Sequence, residues 1–165
     1  MVLATGARVT SFAAERIELS PVESWLRHPL YHRGVPEGWR TYETLGGNLR
    51  KRATSDAAPH VFVVWPRTPA LIRSQLIGYV WDPALSAGTV QKSRKTGTVT
   101  FLIVRSGTSQ LGQWLTERRN VAEDFRLVYG VDADPPRAVA LSIDTNDTQA
   151  ASEGFIGAIL FRGSN

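Results

Sequence analysis

The densest group of oxygen donors in the chain is Asp144-Thr145-Asn146-Asp147-Thr148, placed directly after an apolar, β-type run. Clustered carboxylate and amide oxygens are what a Ca2+ ion takes as ligands, so Asp144, Asn146 and Asp147 are the candidate metal residues. The same residues also build an Asx-rich turn, in which side-chain oxygens accept from nearby backbone N–H groups. The spacing alone does not separate the two, and the self-capped turn is favoured. His28 and His32 stand four apart, which on a helix makes a metal pair, but Pro29 between them removes the helix and leaves loop residues. His60 opens an apolar run with no acid or nucleophile near it in sequence, so it is not assigned a catalytic role.

A second set of residues has the chemistry of a binding surface. The five tryptophans Trp25, Trp39, Trp65, Trp81 and Trp114 are a large aromatic content for a chain of this size. Exposed, such rings stack on sugars; buried, they fill a core, which is the favoured reading for Trp65 and Trp81 at the ends of apolar runs. Arg105, Arg118 and Arg119 lie close in sequence to Glu117, Glu123 and Asp124. A planar guanidinium grips a carboxylate with two hydrogen bonds, whether the carboxylate is structural or belongs to a ligand. Structural ion pairs are favoured. Trp81, Arg105, Trp114, Arg118 and Arg119 are nonetheless the candidate ligand-binding residues.

The elements that must position these side chains centre on residues 98–147. Val99 to Ser106 is β-rich with apolar residues at both parities, the pattern of a strand covered on both faces. Asn120 followed by Val121, Ala122 and Glu123 reads as a capping box, with Val121, Ala122, Phe125, Val128 and Tyr129 on one helical face and Gly130 as the left-handed stop. Arg137 to Thr145 returns to β-type sequence. Further strands are expected over Val61 to Trp65, Gln75 to Trp81 and Gly154 to Phe161, with a possible strand at Trp39 to Tyr42. Ser20-Pro21-Val22-Glu23 signals a short helix carrying Trp25 and Leu26, Gly46-Gly47-Asn48 a turn, and Leu49 to Ala53 an exposed basic strand. Pro69 to Ser74 and Pro83 to Gly97 read as loops. Many strands with one or two short helices predict an antiparallel β-sandwich, of jelly-roll or galactose-binding-like form.

At 165 residues the chain fits a single domain, 1–165, with the clearer pattern after residue 56 and a less certain segment over 1–55. The absence of cysteine excludes disulfides, thiolate nucleophiles and Cys-based zinc sites. No apolar run approaches the roughly 20 residues of a membrane helix, so no membrane span is expected. Met1 to Ala14 lacks a basic start and a sustained apolar centre and is not expected to act as a secretory signal. The net charge of +4 is concentrated: between Thr44 and Thr116 nine basic residues face only Asp56 and Asp82. That balance suits an anionic partner, although a solvated, Arg-rich surface explains it as well; nucleic acid is disfavoured, because no aromatic-interleaved motif accompanies the charge.

Tyr79-Val80-Trp81, Val104-Arg105-Ser106-Gly107, Gly112-Gln113-Trp114, Glu117-Arg118-Arg119-Asn120-Val121, Asp124-Phe125, Tyr129-Gly130 and Asp144-Thr145-Asn146-Asp147-Thr148, in this order, resemble the bacterial family known as domain of unknown function 3047. The resemblance covers about residues 56–161 and implies a β-sandwich in a protein exported to the bacterial envelope, periplasmic or extracellular. It brings no activity. The family's longer first half, with a Trp-rich strand before the Val61 run, has no evident counterpart, so a strand is expected to be missing here. Its acidic loop commonly reads Asp-Thr-Asp-Asn before Thr and Gly, whereas this chain has Asn146-Asp147 and Gln149; its Gly-Asp-Ile becomes Gly157-Ala158-Ile159.

The expected function is a non-enzymatic binding module for a glycan or other anionic envelope ligand, without a cofactor. Two alternatives remain. One is a polysaccharide hydrolase or lyase drawing its acids from Asp82, Asp124, Asp144 and Asp147, against which stands the absence of a nucleophile elbow, phosphate loop or metal signature. The other is a structural envelope or interaction protein.

Overall fold

The computed structural model describes residues 7–12, 39–41, 49, 57–144 and 151–162. The short helix at Ser20–Leu26, His28, His32, the turn at Gly46–Asn48 and the loop residues Asn146 and Asp147 lie outside them. Strands β1 (Ala7–Phe12) and β2 (Trp39–Thr41) both pair antiparallel with β8 (Ala151–Ile156) in a three-stranded sheet ordered β1-β8-β2. The larger sheet is β5-β6-β4-β3-β7, from β3 (Ala57–Trp65), β4 (Gln75–Asp82), β5 (Val90–Lys92), β6 (Val99–Ser106) and β7 (Ala138–Asp144).

The fold is mostly β, as expected, but the large sheet is mixed rather than wholly antiparallel: β4 and β6 run parallel, Leu76 opposite Val99 and Tyr79 opposite Leu102. The cause lies in the Pro83–Gly97 segment. Within that expected loop Val90–Lys92 forms β5, so the chain leaves β4, passes to the far edge and returns through β6 between them. A three-residue strand has too few positions to show a period of two. The Pro69–Ser74 connection likewise holds one helical turn, α1 (Ala70–Arg73). β8 begins three residues before the expected Gly154 and stops at Ile156.

Both faces of the sheet are covered over its inner strands, which is why β3, β4 and β6 read as nearly continuous apolar runs. On one face Val80, Phe101 and Ile103 pack with Leu49 and Leu85. On the other, Val63, Trp65, Ile77, Tyr79 and Leu102 meet Phe125 of helix α2 (Val121–Tyr129), and further along Trp81 and Ile143 meet Ile156 of β8. Trp65 stacks at 4.6 Å, centroid to centroid, on Phe125, which is 4.7 Å from Tyr129.

Helix α2 occupies the predicted residues. Asn120 Oδ1 accepts from the N–H groups of Ala122 (3.2 Å) and Glu123 (3.3 Å), and Gly130 closes the helix at φ 74°, donating its N–H to Arg126 O at 2.8 Å. The capping box is half built, since Glu123 stays exposed and makes no return bond to Asn120 among the described residues. Asn120→Ala is expected to lower stability by about 1 kcal/mol, by uncapping two first-turn N–H groups. Unchanged urea unfolding would show that the cap contributes nothing.

Candidate functional site

Of the candidate binding residues, Trp81, Arg105 and Arg119 lie where β4, β6 and the segment leading into α2 meet. β4 contributes Tyr79 and Trp81, β6 contributes Arg105, and the irregular segment from Gly107 to Asn120 carries Trp114, Glu117, Arg118 and Arg119. Trp81 pins that segment by donating its indole N–H to Gly107 O at 2.7 Å. Gly107 and Gly112 adopt φ 72° and 73°, left-handed values that a side chain resists, and let the segment turn tightly. Leu111 and Leu115 then drop into the cluster around Trp81.

Charges of alternating sign run through this junction. The Arg105 guanidinium donates to Glu117 Oε1 and, at 3.1 Å, to Gln110 Oε1. Arg119 grips Asp124 with two bonds, Nε to Oδ2 at 3.0 Å and Nη2 to Oδ1 at 2.5 Å. Asp124 Oδ2 also accepts from the Tyr79 hydroxyl at 2.8 Å, so one buried carboxylate, 4% exposed, ties α2 to the sheet and to the preceding segment. The Arg–carboxylate pairing anticipated from sequence is therefore formed twice. What sequence does not disclose is Tyr79, whose partner is 45 residues away.

Burial holds the Tyr79 hydroxyl well above its ordinary range, reinforced by the adjacent Asp124 charge and the hydrogen bond donated to it. Hydrogen bonding to Asp124 raises Arg119 as well. For Tyr79 the sign is clear. A folded-state value above the unfolded 10.0 means that the folded form keeps a proton the unfolded form loses. Its contribution is complete below about pH 10 and is lost as pH rises beyond, at up to about 1.4 kcal/mol per pH unit. Tyr79→Phe should flatten the alkaline fall in stability; an identical slope in the variant would remove Tyr79 as its source.

The other nominated residues are placed as follows. Trp81 is fully buried, with no surface to offer a ligand. Trp114 is half-buried, its ring 6.4 Å from that of Phe155. Arg118 is exposed and has no carboxylate partner among the described residues, in contrast to Arg105 and Arg119. Asp144 Oδ2 accepts from Lys95 Nζ at 3.3 Å. His60 is buried, its ring edge-on to Phe62 at 4.7 Å and to Phe101 at 6.0 Å. Asp82 is buried and its Oδ1 accepts from the N–H groups of Ala84 and Leu85, both at 2.7 Å, turning the chain after β4. Among the described residues no group of three or more His, Cys, Asp or Glu is arranged to hold a metal ion. Arg67 and Asp134, unmarked in sequence, form a bidentate pair at 2.9 and 2.5 Å, beside the bond from the Trp65 indole N–H to Asp134 O at 2.7 Å.

Among the described residues these features define a mostly β protein with an open mixed sheet and one full helix locked to it by the network of Arg119, the buried Asp124 and Tyr79. The chain belongs to the family described as Protein of unknown function (DUF3047), whose model matches residues 38–160. The match begins some way before the resemblance noted at residue 56, and it includes β2. No curated protein and no solved structure matches the chain.

Proposed function

We propose that the chain is a non-enzymatic binding module of the bacterial envelope, a β-sandwich of jelly-roll or galactose-binding-like form that holds an acidic glycan or similar anionic ligand. The packing of Ile156 of β8 against Trp81 and Ile143 supports a second sheet lying over the first. The observation that carries the binding reading is Arg118. Its neighbours along the segment are engaged, Leu115 in the core, Glu117 with Arg105, Arg119 with Asp124 and Asn120 with the first turn of α2, while Arg118 is exposed and has no ion-pair partner among the described residues. Arg118 thus offers an uncompensated bidentate donor on a rigid support, with Trp114 farther along the segment as an aromatic neighbour. Three of the four carboxylates an enzyme would draw on are engaged, Asp124 by Arg119 and Tyr79, Asp82 by two backbone N–H groups and Asp144 by Lys95; the fourth, Asp147, lies outside the described residues.

Calorimetric titration with a soluble acidic polysaccharide such as alginate tests this. Binding is expected to weaken with added salt and to fall about tenfold, about 1.4 kcal/mol, in Arg118→Ala. Absence of binding, or an Arg118→Ala variant that binds equally well, overturns the proposal. Release of new reducing ends or unsaturated sugars would instead make the protein an enzyme.

A further inference from the structure

At the end of the large sheet where β3 finishes and β4, β6 and β7 begin, several separate segments are brought together. Tyr129 at the close of α2 donates its hydroxyl to Leu76 O at 3.1 Å, and Arg67, just after β3, holds Asp134. The N–H of Arg137 donates to Val64 O at 3.0 Å, and that of Leu76 to Thr98 O at 2.9 Å, which draws in the turn between β5 and β6. Helix α1 connects β3 to β4 at the same end. The segments that meet here carry large apolar side chains in water: Ile72 on α1 is 77% exposed, Leu127 on the outer face of α2 65% and Val131 just after α2 56%.

Around them cations predominate. Among the described residues Arg73, Lys92, Arg94 and Arg137 are exposed and form no ion pair, although Arg137 lies near enough to Asp134 to add to Arg67 in lowering its carboxyl. Asp132 and Asp134 are held by Arg126 and Arg67, and Glu123, one turn before Leu127 on α2, is an exposed acid. Single exposed apolar residues are ordinary, but three on segments that meet at one end, bordered by an excess of exposed cations, are the complement of an anionic bilayer surface.

We propose that this end docks on anionic membranes, setting Ile72, Leu127 and Val131 into the boundary between headgroups and acyl chains while the four cations meet lipid phosphates. It needs neither Trp114 nor Arg118 and stands apart from the glycan reading. No helix among the described residues is long and apolar enough to span a membrane, so the contact is peripheral. Each basic side chain near such a surface contributes about fivefold to affinity.

Flotation of the full chain with vesicles of phosphatidylcholine alone, or of phosphatidylcholine mixed with phosphatidylglycerol, is the test. Binding is expected only to the mixed vesicles. It should fall at least about tenfold when Arg73, Lys92, Arg94 and Arg137 are changed together to Gln, and comparably in Ile72→Ser/Leu127→Ser/Val131→Ser. Leu127→Ser alone, on the outer face of α2, serves if the triple variant melts early. No flotation with anionic vesicles, equal flotation with neutral ones, or full binding by the apolar variant overturns the proposal. The last result, combined with complete displacement by soluble alginate, would mark this end as a polyanion surface and not a lipid-docking one.

Discussion

Asp124→Ala is expected to lower stability by about 3 kcal/mol, and the melting temperature by roughly 10 °C, because one truncation removes the acceptor for three hydrogen bonds. The Tyr79 hydroxyl is left buried without the acceptor to which it donated at 2.8 Å. The Arg119 side chain, 39% exposed, turns toward solvent at smaller cost, which puts the estimate at the lower end of the range for a broken buried ion pair. Arg119→Ala should accordingly cost less than Asp124→Ala. A cycle combining Asp124→Ala with Tyr79→Phe should show a coupling above about 0.5 kcal/mol. Urea unfolding with unchanged slope gives these numbers directly; a loss below about 1 kcal/mol for Asp124→Ala would mean that α2 is held by its apolar face alone.

Gly78→Ala is expected to destabilise by about 2 kcal/mol, and Gly78→Val by more, against the usual trend in which replacing a strand glycine by alanine helps. In the register of the sheet Gly78 lies between Phe62 of β3 and Phe101 of β6. The two rings close over it, their centroids 6.1 Å apart, and a Cβ at this position would stand 2.7 Å from Phe62 Cε1 and 2.9 Å from Phe101 Cδ1. Both distances are below any contact a methyl group tolerates, so at least one ring must leave its place in the packing against Val80 and Ile103. Phe62→Leu should recover part of the loss in Gly78→Ala. A stabilised or neutral Gly78→Ala, measured by thermal unfolding, would show that the rings give way freely.

What the sequence determined by itself was local. Helix α2 is legible to the residue because Asn120, the apolar spacing and Gly130 act within a few residues of one another. The cores of β3, β4 and β6 are legible because a strand buried on both faces must be apolar at both parities, and the edge strand β7 is legible from its β-type sequence. The Arg105–Glu117 and Arg119–Asp124 pairs were within reach for the same reason, their members lying 12 and 5 residues apart. Tertiary structure alone decided the rest. The parallel register of β4 and β6 depends on a three-residue strand at the far edge, which leaves no periodic trace. Tyr79 acquires its meaning only when α2 is laid across β4, since a tyrosine in an apolar run looks the same whether or not a carboxylate waits above it. Placement decides between identical side chains: Trp81 is closed in the core while Trp114 stays half-buried, and Arg119 reaches the buried Asp124 while Arg118, next to it, has no ion-pair partner among the described residues.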